Sequence, residues 1–185
     1  DNYHQKADRI YRFNQVWRSA NGDMEADYGA PAPLANFLKS EIPQIETVVS
    51  ILPNGKRAIE INPQRRFNQK GVLYAEPEIL DVFDLKVIAG NGHETLRKPW
   101  HALLTSSTAE KFFGREDPIG KTFLFDNEHT VTVGGIIKDL PANTHLHATM
   151  LISYKIGKDF MGWAETNWGA IFGASTYAVL KEGAN

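Results

Sequence analysis

IYRFNQVWRSANGDMEADYGAPAPLANFLKSEIPQIETVVSIL, residues 10–52, sets a helical middle between two strand-like ends. Ile10–Trp17 is rich in β-branched and aromatic residues and reads as a strand. Asn21-Gly22-Asp23 signals a turn. Pro33 stands where a first helical residue belongs, since the amide it lacks would be unpaired there anyway. Leu34, Phe37, Leu38 and Ile42 follow at helical spacing, and Pro43 ends the helix. Ile45–Leu52 is the next strand. Strand, helix and strand over about forty residues form a βαβ unit, whose two strands run parallel with the helix on one face. Thr176–Leu180, much later in the chain, is the candidate for a third strand between or beside them.

Outward from this unit the pattern is richer in strand than in helix. Pro53-Asn54-Gly55 turns the chain into Arg57–Ile61, and Asn62-Pro63 turns it into a strand over Phe67–Tyr74. A short helix from Pro77 buries Ile79, Leu80 and Phe83. Gly90 to Gly92 punctuate the chain before the brief strand Leu103-Leu104. Thr105 to Ser107 offers an N-cap for a helix through Phe113, stopped by Gly114. Lys121–Phe125 and Thr130–Ile137 read as strands joined by a turn at Asp126-Asn127, and His145–Tyr154 as one more. There is no internal repeat and no low-complexity segment. The fold class is α+β.

Composition narrows the function. Twenty Lys and Arg against 22 Asp and Glu leave a formal net charge of −2. That balance argues against a nucleic-acid partner, which calls for a clustered basic face. With no cysteine there are no disulfides, no thiolate catalysis and no cysteine-based zinc site. The polar opening Asp1–Arg9 is not a signal peptide, and no apolar run of ~18 residues is present to span a bilayer.

Several constellations invite a chemical reading. Gly114–Thr122 (GREDPIGKT) ends in the Gly-Lys-Thr of a phosphate-binding loop. It has five residues between its glycines where the nucleotide motif has four, Pro118 removes one amide, and a helix precedes it with a strand after it, the reverse of the true order. The reading is a charged helix-to-strand turn. His145 and His147 fall on one face of a strand, but two imidazoles with Asp139 nearby in sequence do not complete a metal site. Asp81/Asp84 and Glu116/Asp117 read as solvated carboxylates rather than an acid–base pair. Ser106-Ser107-Thr108 sits at a helix start, where hydroxyls cap the backbone. Phe160, Trp163, Trp168 and Phe172 are core aromatics in the first reading and partner anchors in the second. No catalytic, cofactor-binding or metal-ligating residue is assigned, and the chain is not read as an enzyme.

The motifs also carry a resemblance. Leu104-Thr105, Ala109-Glu110-Lys111-Phe112-Phe113-Gly114 and Asp117-Pro118-Ile119-Gly120-Lys121-Thr122 resemble a recurring stretch of the MacB-like periplasmic core domain. Thr130–Val133, Gly135, Lys138-Asp139-Leu140-Pro141 and Thr144-His145-Leu146 resemble its continuation. Ala7–Arg12, Gly71–Ala75 with Phe83 and Gly90, and Trp168 with Tyr177–Lys181 fit in the same order along nearly the whole chain.

The resemblance implies the extracytoplasmic domain of a MacB/FtsX-type ABC transporter permease, set between two membrane helices. It implies a porter-like lobe holding the βαβ unit (residues 1–75 and 145–185) and an inserted, strand-rich, sabre-like lobe (76–144). The implied partners are the permease's own transmembrane helices, a cytoplasmic ATPase, a second permease copy, and a periplasmic adaptor or lipoprotein. The implied role is non-catalytic: passing on ATP-driven motion and meeting cargo on the periplasmic side of the inner membrane. The rival readings are a free-standing periplasmic ligand-binding protein and, behind it, a hydrolase.

Overall fold

The computed structural model describes residues 6–27, 29–156, 166–168 and 173–184. An 11-stranded mixed sheet runs through the molecule, in the spatial order β1-β13-β4-β7-β12-β9-β11-β10-β5-β6, with β8 also on β11. The strands are β1 (Ile10–Phe13), β4 (Ile45–Pro53), β5 (Arg57–Asn62), β6 (Arg65–Gln69), β7 (Val72–Ala75), β8 (Val87–Gly90), β9 (His101–Thr105), β10 (Thr122–Phe125), β11 (His129–Ile137), β12 (Met150–Ser153) and β13 (Ser175–Leu180). The helices are α1 (Leu34–Glu41), α2 (Ile79–Val82), α3 (Gly92–Arg97) and α4 (Ser106–Phe113).

The opening unit forms with a strand slotted into it. β13 lies antiparallel to β1 (Ile10↔Val179) and antiparallel to β4 (Tyr177↔Val49), so β1 and β4 run parallel with β13 between them. Ala35 and Leu38 of α1 pack on Val48 and Ala178 of one sheet face. The next residues along, Val49, Tyr177 and Val179, enter the opposite face. That switch is the period-2 alternation of a strand buried on both sides.

The same alternation divides the rest of the core. Leu73, Leu103, Leu151 and Ile137 face α2 and α3, with Leu80, Phe83 and Leu96. Val72, Ala102, Leu104, Met150 and Ile152 face the other way, toward Phe112 and Phe113 of α4 and Phe123 and Phe125 of β10. β12 sits at the crossing of the chain's two halves. It runs parallel to β7 (Leu151↔Leu73) and antiparallel to β9 (Leu151↔Leu103).

Three expected strands are broken or shortened. Ile10–Trp17 is not one strand: the chain leaves the sheet at Asn14, and β2 (Gln15–Arg18) turns back on β3 (Met24–Asp27) in a separate two-stranded ribbon. Phe67–Tyr74 is divided between β6 and β7 at Lys70-Gly71, where Gly71 has φ +71° and lies against the backbone of His147. Of His145–Tyr154 only Met150–Ser153 pairs. The Gly90–Gly92 stretch holds an edge strand and the start of α3, whose N-cap Asn91 accepts a hydrogen bond from the Glu94 N–H (3.1 Å).

Candidate functional surfaces

The long central motif forms one structural unit. Thr105 closes β9 and caps α4 through its side-chain oxygen, which accepts from the Thr108 N–H. The second cap comes from 32 residues away: Asp139 Oδ1 accepts from both the Ser107 N–H (3.1 Å) and the Ser107 hydroxyl (2.8 Å). Ser106 Oγ donates to the Ile137 carbonyl (3.3 Å). The hydroxyls of Ser106, Ser107 and Thr108 are thus bound into the helix start, with Ser107 held by the Asp139 carboxylate and Thr108 by Thr105. Helix formation in turn aims Phe112 and Phe113 into the core, where Phe112 stacks on Phe67 at 5.6 Å.

The phosphate-loop look-alike is pinned to the sheet. The Gly120 N–H donates to the Val133 carbonyl (2.8 Å) and Lys121 N–H to Pro118 O (3.1 Å). The Ile119 N–H is taken by Asp117 Oδ1 (3.0 Å). Lys121 Nζ bonds the Glu116 carboxylate and lies 5.4 Å from the Phe113 ring centre. The hydrogen bond and charge of Lys121 hold the Glu116 carboxyl below its usual range. A nucleotide phosphate needs free, convergent amides and a free lysine, and here both have intramolecular partners.

His145 and His147 are both exposed, while Leu146 and Ala148 between and after them are buried. Their surroundings differ, however. His145 Nε2 lies 2.9 Å from the Tyr177 hydroxyl, and its ring packs at 5.8 Å against Phe83. Burial, then the charge of Arg12, lowers its pKa from the ordinary 6.5. Asp139 is engaged with Ser107, and among the described residues no three His, Asp or Glu side chains converge as metal ligands.

Asp81 pairs with His93 (2.9 Å) at the surface, bridging α2 and α3, while Asp84 stands at a left-handed turn (φ +49°). Glu116 and Asp117 lie on the exposed turn already described. Trp168 is half exposed and meets Phe37 of α1 edge-on at 5.6 Å. Phe160, Trp163 and Phe172 lie outside the described residues.

Two shallow recesses flank the Lys138–Pro141 segment. One, of about 370 Å³, is lined by Asp84, Leu85, Lys86, Lys138, Leu140 and Pro141. The other, of about 270 Å³, lies between Ser107, Thr144, His147 and Thr149. Sequence reasoning missed the first because it did not find β8, the strand that brings Lys86 beside Lys138. It also missed the tie among Arg57, Asn54 and Asp126, where Asp126 takes Arg57 at 3.2 Å and caps the Ala58 N–H at 3.1 Å. Asp126 and Asn127 have φ of +50° and +60°, the left-handed pair of a tight hairpin, and that signal was legible.

The described residues thus form a strand-rich α+β domain whose two shallow recesses adjoin the Lys138–Pro141 segment. The whole chain, residues 1–185, matches the model of the MacB-like periplasmic core domain, and it belongs to that family. The family places it on the periplasmic side, as part of an ABC transporter permease.

Solved structures share the fold. A domain of a protein described as a permease from Porphyromonas gingivalis superposes with a TM-score of 0.86 at 24% identity, covering 100% of this chain and 78% of that one. The periplasmic region of MacB from Actinobacillus actinomycetemcomitans gives 0.67 at 18% identity, over 95% of this chain and 75% of that one. The extracellular domain of the noncanonic ABC-type transporter YknZ from Gram-positive bacteria gives 0.67 at 16%, over 94% and 84%. No curated relative matches the chain in sequence.

Proposed function

We propose that this domain is a non-catalytic transmission and recognition module of its permease, carrying motion driven by a cytoplasmic ATPase to a surface that meets cargo or a partner protein. The observation that carries the reading is the junction where β1 begins and β13 ends. The Leu180 N–H donates to the Arg9 carbonyl (3.0 Å), and the Arg9 guanidinium reaches both the Leu180 carbonyl (2.6 Å) and Glu46 (2.8 Å). Two chain segments tied this closely would move together when the membrane helices beside them move. The sheet then offers a stiff path, because each of its strands is fixed by ladder hydrogen bonds and most by burial on both faces.

Residues 1–75 with 145–185 act as the porter-like lobe and 76–144 as the inserted lobe, with the β5–β6 hairpin reaching across to β10 (Leu124↔Glu60). Relative motion of the lobes would have to be taken up along the ladders that join them, β12–β9 and β10–β5, against core clusters that both lobes share. The test uses the complete permease with its ATPase and the cysteine pair Glu60→Cys/Leu124→Cys. Oxidation should lower transport while leaving ATP binding intact, and dithiothreitol should restore it. Unchanged transport with the disulfide fully formed would refute the lobe motion.

A further inference from the structure

The edges of the sheet are not guarded equally. An edge strand exposes unpaired backbone groups, and proteins blunt such edges with charge, proline or cover. β6 carries Arg65 and Arg66, and Arg65 reaches over to the Lys111 carbonyl (2.8 Å). β1 carries Arg12 and is preceded by Arg9. β8 reads Val87-Ile88-Ala89-Gly90, with no charge and no proline, and pairs with β11 alone. Its pairing passes from Ala89↔Ile136 to Val87↔Ile137, so Ile88 is the extra residue of a bulge and stands 52% exposed.

A second oddity adjoins this edge. The Lys138 N–H donates to the Lys86 carbonyl (2.8 Å), continuing the β8–β11 ladder by one rung. That sets two exposed lysines opposite each other, an arrangement that like charges disfavour. Among the described residues neither lysine is in an ion pair. Two carboxylates share the rim: Asp139, already bound to Ser107, and Asp84, at the left-handed turn before Lys86. The apolar floor of the 370 Å³ recess, from Leu85, Leu140 and Pro141, opens beside them.

We propose that β8 is a strand-addition site for an extended, acidic segment of a partner protein. The segment pairs with the outer edge of β8, sets a carboxylate between Lys86 and Lys138, and lays an apolar side chain in the recess. Backbone pairing supplies the affinity of such contacts, and the pocket and charges supply the choice of partner. A second copy of this chain fits less well, because β8 carries no acidic residue to set between Lys86 and Lys138.

The test uses the chain with the acetylated peptide Thr-Val-Thr-Val-Glu-amide, read by residue-resolved amide hydrogen exchange and by calorimetry. Peptide should slow exchange at Ile88–Gly90 and leave β1 and β6 unchanged. N-methylation of alternate peptide amides should abolish binding. The double substitution Lys86→Glu/Lys138→Glu, checked for an unchanged Tm, should weaken binding about tenfold, as expected for two exposed charge pairs. Protection at β1 or β6 instead, equal binding of the N-methylated peptide, or indifference to the charge reversal would each overturn the proposal. So would self-association through β8 that the peptide merely competes with.

Discussion

β13 and the β2–β3 ribbon are both built of short antiparallel ladders, yet they stand at opposite extremes of burial. Five of the six residues of β13 are buried, and it fills the slot between β1 and β4. In the ribbon Val16 is 54% exposed and Met24 63%, and Trp17, Arg18, Glu25 and Ala26 are exposed with them. The register Val16↔Ala26 and Arg18↔Met24 puts Val16 and Met24 on one ribbon face and Trp17 on the other, so each face keeps an exposed apolar side chain. Ladder hydrogen bonds alone contribute little net stability, because unpaired groups would bond to water instead. Side-chain burial is therefore what separates the two regions, and substitutions can measure the separation.

The largest effect belongs to the strand at the centre of the sheet. Leu151 is fully buried between Leu73 on β7 and Leu103 on β9. Leu151→Ala should destabilise the domain by about 2–5 kcal/mol, the range for a leucine deleted from a core that cannot collapse. Chemical denaturation would read this as a lower midpoint at unchanged slope. A loss under about 1 kcal/mol would mean that the two halves of the core are loosely joined at β12.

Next in size is a backbone effect. Gly90 has φ +73°, and a Cβ there would collide with the Gly134 carbonyl and the Gly135 Cα, both backbone atoms that cannot swing aside. Gly90→Ala should cost about 1–3 kcal/mol by strain alone, with further loss if β8 detaches from β11. Hydrogen exchange would separate the two cases, since detachment accelerates exchange at β8 alone. A change under about 0.5 kcal/mol would show that the β8 edge relaxes freely, as a surface segment does.

These positions also show what could be read in advance. α1 and α4 were legible because each carries its own stops: Pro33 and Pro43 for one, Thr105 and Gly114 for the other. β1, β4 and β13 were legible from β-branched runs, and their mutual arrangement followed from a connection too long for a hairpin. The break at Asn14 was not, because IYRFNQVW is uniformly strand-like and only the loss of a packing partner divides it. α3 was hidden by its glycine and by its length of six residues, although Asn91 followed by Glu94 is a capping signal. The Ser107–Asp139 cap and the Lys86–Lys138 pair join segments 32 and 52 residues apart, and no local pattern announces either.

A smaller, pH-dependent effect tests how tightly β13 is held from outside the sheet. His145 bonds Tyr177 of β13 and packs on Phe83, and its pKa is lowered chiefly by burial, with the charges of Arg12 and His147 adding to it. The folded state therefore binds this proton more weakly than the unfolded chain. Stability is unaffected well above pH 6.5 and falls as pH drops from there toward the lower folded value, below which the loss levels off. His145→Gln should flatten that slope while leaving stability at pH 8 nearly unchanged. An equally steep acid slope in the variant would show that His145 is not proton-linked to folding.

The smallest effect is expected in the ribbon. Val16→Thr with Met24→Thr keeps the strands' backbone preferences and removes two exposed apolar side chains from one face. With no partner surface within the described domain, little apolar area leaves water there on folding. The pair should change stability by no more than about 0.5 kcal/mol, as surface substitutions do. The turn is unaffected, since the Ser19 N–H still donates to the Asp23 carbonyl (2.8 Å) and Gly22 (φ +88°) still supplies the left-handed step. Thermal melts of the isolated chain should thus superimpose within error. A cost above about 1 kcal/mol would require that this face be buried, and the contrast with β13 would fail. A null result would leave the apolar content of the ribbon without a folding role, and transport by the complete permease carrying the same pair would then show whether a partner covers it.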